Sequence, residues 1–445
     1  MDSASFEALF KRLDFDRPLD YANPQDQRLY VDNLHSANGI EPIEELQINI
    51  EMSENPTSWL FTGHRGVGKS TELRRMAVAL RDNKHMVIVA DMGEYLNLAE
   101  PITTEMLLLT MVAALADGAD ALLKPEKDKP SYVRRLWDCL NNTEVNISEI
   151  DFEAAGFTLK AVLKQNDNLK QKVMQAIAGA PAKLAQQVRE FAKQISEDAR
   201  KTSREDTKVI LILDSLERLR VTGGDARVCY DAITRTFETN GDYLKLQHIH
   251  VVYSVPPYLP FLCPRIGSYY GVEVCTLPHV KVFETPEINK REITDVKPFD
   301  EGLNLLVQCV RNRYPDVEQL IPNAMLKELA LASSGSVRDY FRLIKSVCTK
   351  ARVAKAPVPL ESSSPLSQLA TQVLMNEMPL AEEDKQWLLN VRKTHGTGLD
   401  SISNLHELAR LFDSGIILNY RNGRDWCDVH YLLHSELALY GEIGE

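Results

Sequence analysis

The stretch Gly63-His64-Arg65-Gly66-Val67-Gly68-Lys69-Ser70-Thr71 limits what this chain can fold into more than any other. It follows the apolar run Trp59-Leu60-Phe61 and leads into Glu72 to Leu80, which reads as a helix. A G-x-x-x-x-G-K-[ST] pattern between a strand and a helix builds a phosphate-binding loop. The glycines let the backbone wrap an anion without Cβ clashes, and the loop amides and helix N-terminus point at negative charge. Lys69 is placed to reach the β- and γ-phosphates of a nucleoside triphosphate, and Ser70 to ligate Mg²⁺, while Thr71 packs or caps the helix.

A second signal is Val209-Ile210-Leu211-Ile212-Leu213-Asp214-Ser215-Leu216-Glu217-Arg218. An apolar run of this kind is a buried parallel strand, here delivering Asp214 to the sheet edge, where it can complete a Mg²⁺ site with Ser70. Ser215, not an acid, follows Asp214, so Glu217 is the nearest candidate base; otherwise it completes a helix cap. Two more runs read as strands. Met86-Val87-Ile88-Val89-Ala90-Asp91 ends in a carboxylate that either caps its loop or orients water or metal. His248 to Val255 brings Ser254 to a strand end, where it touches a γ-phosphate or water, or simply stops the strand.

The 445 residues suggest two or three domains. A net charge of −12 argues against a protein that coats nucleic acid. The seven cysteines contain no C-x-x-C pair, so neither a zinc knuckle nor a redox motif is visible, and buried free thiols in a reducing cytoplasm are the expectation. Met1 to Glu7 lacks a basic and apolar leader pattern, and no run of 18 apolar residues exists; no membrane span is expected.

The expected organisation is α/β: a lead-in over 1–50, a P-loop NTPase core over 51–290, a helical lid over 291–357 and a winged-helix domain over 358–445. In the lead-in, Phe6 to Leu13 and Arg28 to Leu34 have helical periodicity. Within the core, about 117–205 reads as a helical insertion, with Val173, Ile177, Leu184, Val188, Phe191 and Ile195 at helical spacing; it carries partner contacts or acts as a buttress. Pro264-Arg265 opens a loop and short-strand region ending at Val280-Lys281-Val282. Ser333 to Asp339 is a helix start, and Arg338 alone is a solvated charge. Beyond the linker at 357–365, Leu405 to Phe412 is a helix, and two strands flank Asn422-Gly423, a hairpin signal. His430 and His434 are spaced i,i+4, but the first lies in a strand, which disfavours zinc. Residues 358–445 hold six Lys or Arg against thirteen Asp or Glu, a net of −7. A wing that grips DNA needs cations, so this charge favours contact with protein over DNA.

With these pieces in order, the chain resembles bacterial P-loop ATPases of the STAND/AAA+ type, and in layout the origin-recognition-type AAA+ ATPases that end in a winged helix. The run from Gly63 to Arg75 resembles their phosphate loop. Asp214-Ser215-Leu216-Glu217 resembles the STAND form of the second motif, which favours Glu217 as base. Ser334-Gly335-Ser336-Val337-Arg338-Asp339 is similar to the lid's sensor-2 motif, which implies that lid closure brings Arg338 to the γ-phosphate. The resemblance implies ATP and Mg²⁺ as ligands, slow ATP hydrolysis, a homo-oligomer, and a nucleotide-dependent switch for a partner effector, with anti-phage defence as one setting. The alternative is a DNA-associated AAA+ ATPase: a replication initiator, helicase loader or transposition regulator. For an inter-subunit trigger Arg265 and Arg235 are candidates, and no N-K-x-D guanine signature is complete, leaving ATP the default.

Overall fold

The computed structural model describes residues 3–36, 40–124, 130–141, 175, 179–219, 226–287, 293, 295–399, 402–421 and 425–443. The chain divides into two compact units: Met1–Pro42 with Gly63–Glu72 and Thr276–Glu445, and Ile43–Thr62 with Leu73–Cys275.

The second of these holds the sheet. Its strands β1 (Ser58–Thr62), β2 (Met86–Asp91), β3 (Val209–Asp214), β4 (His250–Val255) and the short β5 (Cys275–Thr276) lie in the order β2-β3-β4-β1-β5. β2, β3, β4 and β1 pair in parallel. Every residue of β1, β3 and β4 is buried, which is why these strands read as continuous apolar runs without alternation. Asp91 pairs with Asp214, Leu213 with Tyr253, and Ser254 with Phe61. The C-terminal ends of four strands are therefore level, at the edge where open α/β sheets bind ligands. β4 separates the phosphate-loop strand β1 from the Asp214 strand β3. This strand order is typical of a P-loop core.

Helix Thr104–Leu123 covers this sheet. Thr103 caps it, its Oγ1 accepting from the Met106 amide at 3.2 Å. The helix is long and apolar enough to cross a membrane, with a mean hydropathy of 1.8, and 61% of its most apolar stretch is buried inside the protein. It packs on β2 and on helix Pro181–Thr202, so protein covers it on more than one side. Of the expected insertion, helices Tyr132–Asn141 and Pro181–Thr202 are described, whereas Val173 and Ile177 lie outside the described residues. Helix Pro42–Met52, for which the sequence offered no clear signal, is fixed by Lys208. Its ammonium donates to the carbonyls of Ile50, Glu51 and Ser53 at 2.9, 2.6 and 2.8 Å, a cation on a helix C-terminus.

Two local readings change. Arg28 to Leu34 is a chain of turns: the helix there is Pro24–Gln27, capped by the Asn23 side chain, and Asn33 at φ 59° cannot continue a helix. After Pro264 the chain forms a short helix, Ile266–Tyr270, before β5. Val280 to Val282 is extended chain outside any strand, its Val280 amide bonded to the Gly335 carbonyl.

The other unit is mostly helical: Ser3–Arg12, Asp300–Arg313, Asn323–Ala332, Val337–Val353, Leu366–Met375, Glu382–Thr394, Leu405–Asp413 and His434–Ile443. The antiparallel pair β6 (Ile417–Arg421) and β7 (Asp425–Val429) forms a C-terminal hairpin; the expected Asn422-Gly423 turn lies outside the described residues. All seven cysteines are free, five of them buried.

Helix Thr104–Leu123 meets β2 at Gly118, where a Cβ would stand 2.6 Å from Ile88 Cγ2. Gly118→Val is expected to cost about 1–3 kcal/mol by overpacking, seen as a lowered urea midpoint. An unchanged midpoint would show that the helix has room to move away.

Candidate nucleotide-binding site

The phosphate loop leaves β1 at Gly63 and enters helix Lys69–Asp82, whose first turn holds Lys69, Ser70 and Thr71. Gly66 at φ 94° and Gly68 at φ 111° take backbone conformations that favour glycine. Lys69 is buried and its Nζ donates to the carbonyls of Gly63 at 2.8 Å and His64 at 2.9 Å. The ammonium is thus held at the loop. Thr71 Oγ1 accepts from the Leu19 amide at 3.2 Å, and Glu72 accepts from the Tyr30 hydroxyl at 2.9 Å. The lead-in is therefore bonded to the first turn of the loop's helix. These two contacts span long stretches of chain and left no local signal.

The Ser333–Ser336 turn also reaches the loop. Ser334 at φ 52° and Gly335 at φ 86° reverse the chain, and Ser336 Oγ caps the next helix by accepting from the Asp339 amide at 3.3 Å. The Arg338 amide donates to the Gly66 carbonyl at 3.2 Å. A Cβ on Gly66 would lie 2.8 Å from Arg338 Cβ and 3.1 Å from Ser336 Oγ, so only glycine fits. The structure therefore places Arg338, far away in sequence, against the phosphate loop. Its Nε is buried without a hydrogen-bond partner.

The hairpin joins this assembly through aromatic rings. The His64 ring stacks on Phe412 at 5.5 Å and lies 4.9 Å from His279, which in turn is 5.6 Å from Tyr420. Tyr420 stacks on Trp426 at 4.5 Å, and its hydroxyl donates to the Ser334 carbonyl at 2.9 Å. The Tyr431 amide donates to Ser334 Oγ at 2.8 Å. His279 was not among the candidate residues: a lone histidine in the apolar stretch Leu277 to Val282 carries no distinguishing pattern.

Asp214, Glu217 and Ser254 belong to the sheet-containing unit. Asp214 ends β3, and its Oδ1 accepts from the Ser215 amide at 2.8 Å. Ser215 at φ 74° turns the chain into a short 3₁₀ segment that buries Glu217. Ser254 Oγ donates to Glu217 Oε2 at 2.8 Å, so two candidates are directly bonded. Asp91 Oδ1 accepts from the Gly93 amide at 2.9 Å, a loop cap. Arg235 and Arg265 are exposed, with no arrangement that selects either as a trigger. Among the described residues no group of three or more His, Cys, Asp or Glu could hold a metal ion. Mg²⁺ does not require one, because it is bound through one or two protein oxygens with phosphates and water.

These features define the class: an α/β fold with a P-loop core. No protein-family model matches the chain, and no curated protein matches it. Among solved structures it is similar to a Walker-type ATPase of Pyrococcus abyssi, at 14% identity over 96% of this chain and 99% of that one, with a TM-score of 0.39. The Aeropyrum pernix ORC2 protein, in ADPNP and ADP complexes, matches at 11% identity, with 98% of both chains covered and a TM-score of 0.40. The Thermotoga maritima RuvB Holliday junction branch migration motor matches at 14% identity over 89% and 92% of the two chains, with a TM-score of 0.33. At these scores the fold rests on strand order and register.

Burial lowers the pKa of four histidines in the unit that holds the loop and the hairpin. His64 lies well below its usual 6.5, with His279 and Lys69 adding to burial; His279 falls to about 4, and His430 and His434 to about 3. The folded state keeps them neutral, so below pH 6.5 the unfolded chain binds more protons and stability falls as pH falls. Each such histidine costs about 1.4 kcal/mol for each pH unit below 6.5 until its folded pKa is reached. The thermal midpoint should drop markedly from pH 7.5 to pH 5.5; equal midpoints would contradict neutral burial.

Proposed function

We propose that this chain is an ATP-binding and ATP-hydrolysing regulatory ATPase of the STAND/AAA+ type, a nucleotide-dependent switch or assembly platform for a partner effector. The observation that carries this reading is the bond from the Arg338 amide to the Gly66 carbonyl, which puts a distant arginine on the phosphate loop. In this reading Lys69 and the loop amides neutralise the β- and γ-phosphates. Arg338 swings its guanidinium to the γ-phosphate. Glu217, oriented by Ser254, takes a proton from the attacking water. Ser70 and Asp214 would hold Mg²⁺, which supplies charge neutralisation for the transferred phosphoryl group. Slow hydrolysis resets the switch.

The loop's contact with both the Ser333–Ser336 turn and the hairpin side supports switching: whatever displaces His64 or Gly66 must disturb Phe412, Arg338 or both. Self-assembly, a cytoplasmic location and a role in anti-phage defence belong to the same proposal. The −7 charge of residues 358–445 disfavours the DNA-associated alternative.

Phosphate release and sedimentation of wild type, Lys69→Ala and Glu217→Gln, with ATP and with ADP, test the reading. Lys69→Ala should lose ATP binding. Glu217→Gln should bind ATP, hydrolyse it about 10²-fold more slowly or worse, and hold the ATP-dependent assembly state. If ATP leaves wild type and both variants alike in size, and none hydrolyses it, the reading fails. Duplex binding with a steep salt slope would favour the DNA-associated ATPase instead.

A further inference from the structure

Helix Ser3–Arg12 lies against helix Val337–Val353, and near the C-terminal end of the latter they line an open cleft of about 500 Å³. Its floor is apolar and closed, made by buried Phe6 and Cys348. Its lips are apolar and open: Phe10 is 37% exposed and Val353 80% exposed. Single exposed apolar residues need no explanation, but a concave apolar site with exposed apolar lips does.

The rim is basic. Lys11 and Arg352 line the cleft, and Lys345 sits over the Phe10 ring at 4.3 Å. Among the described lining residues Glu7 is the one carboxylate, and it is already paired with Lys11 at 2.7 Å and with Arg352. Basic residues in a last helical turn suit the helix dipole. That requirement does not explain the apolar lips between them. In a chain of net charge −12, an apolar cleft with a positive rim is a distinct surface. Both walls are helices, and the ridge of a third helix fits the groove between two.

We propose that this groove docks an amphipathic helix of a partner protein, with its apolar ridge over Phe10 and Val353 and carboxylates on its flanks meeting Lys11, Lys345 and Arg352. Arg338 stands at the start of the same helix and the groove near its end, so the bound partner contacts the element that touches the phosphate loop. The docking itself does not depend on ATP turnover, and binding alone is read, so its failure is separable from failure of the ATPase reading.

The probe is a labelled amphipathic peptide of about eighteen residues with leucines at i, i+3, i+4 and i+7 and glutamates flanking them, alongside a counterpart with lysines for glutamates. Fluorescence anisotropy on the full chain should show the acidic peptide binding about tenfold more tightly than the basic one, more so at low salt. Val353→Asp, at a highly exposed position that leaves the floor intact, should weaken it about tenfold. Lys11→Glu should erase or reverse the preference. Equal binding of the two peptides, or full binding by Val353→Asp, overturns the proposal. So does a Val353-dependent association with phosphatidylglycerol vesicles or a Val353-dependent dimer in sedimentation, since the groove would then belong to a membrane or a second copy.

Discussion

The rest of the loop-containing unit is arranged around the contact between Gly66 and Arg338. A phosphate loop needs glycine where its backbone turns through φ 94°, and here the missing Cβ serves a second purpose. A Cβ on Gly66 would stand 2.8 Å from Arg338 Cβ, and its absence lets the Arg338 amide reach the Gly66 carbonyl at 3.2 Å. Gly335 does the same one turn earlier in the chain, since a Cβ there would stand 2.2 Å from the Val280 carbonyl. Backbone packed on backbone at two points leaves little freedom for the Ser333–Ser336 turn. An arginine held in this way has its main chain anchored and its side chain available, which is the condition for answering a ligand on the loop.

A second layer depends on this one. His64, inside the loop, is stacked against Phe412 from the C-terminal residues and tilted against His279 beside the hairpin. Burial disfavours charge on His64 and His279, so these two rings act as polar packing, not as acid–base groups. The same unit buries Asp428 with Arg392 at 3.8 Å and with His395 and His434 at 3.7 and 3.8 Å, under the Tyr420–Trp426 stack. Buried polar groups of this kind specify one arrangement of hairpin and helices more than they add stability.

Much of the core was legible in the residues. The strands β2, β3 and β4 were readable because parallel strands covered on both faces become unbroken apolar runs, and the phosphate loop because its chemistry demands a fixed spacing. Ser336 and the helix after it followed from capping chemistry. The contacts that assemble the site were not legible. Leu19 to Thr71, Tyr30 to Glu72 and His64 to Phe412 join segments distant in sequence, and each uses a residue whose neighbours give no hint of a partner. The turns after Arg28 were misread because Asn33 in a left-handed conformation overrides a helical apolar spacing. Helix Pro42–Met52 is held by Lys208, which a local reading cannot pair with it. Only the resemblance of the Ser334–Asp339 stretch to a lid motif raised Arg338 above an ordinary surface charge.

The central claim is that one nucleotide-binding loop is mechanically joined to the Arg338 turn and to the hairpin. Hydrogen exchange of the full chain with and without ATP tests it most directly, through peptides covering 63–71, 333–338 and 417–421. The account predicts that ATP changes the exchange of all three together, and that Lys69→Ala removes all three changes. Protection confined to 63–71, with the other two peptides unmoved, would contradict it.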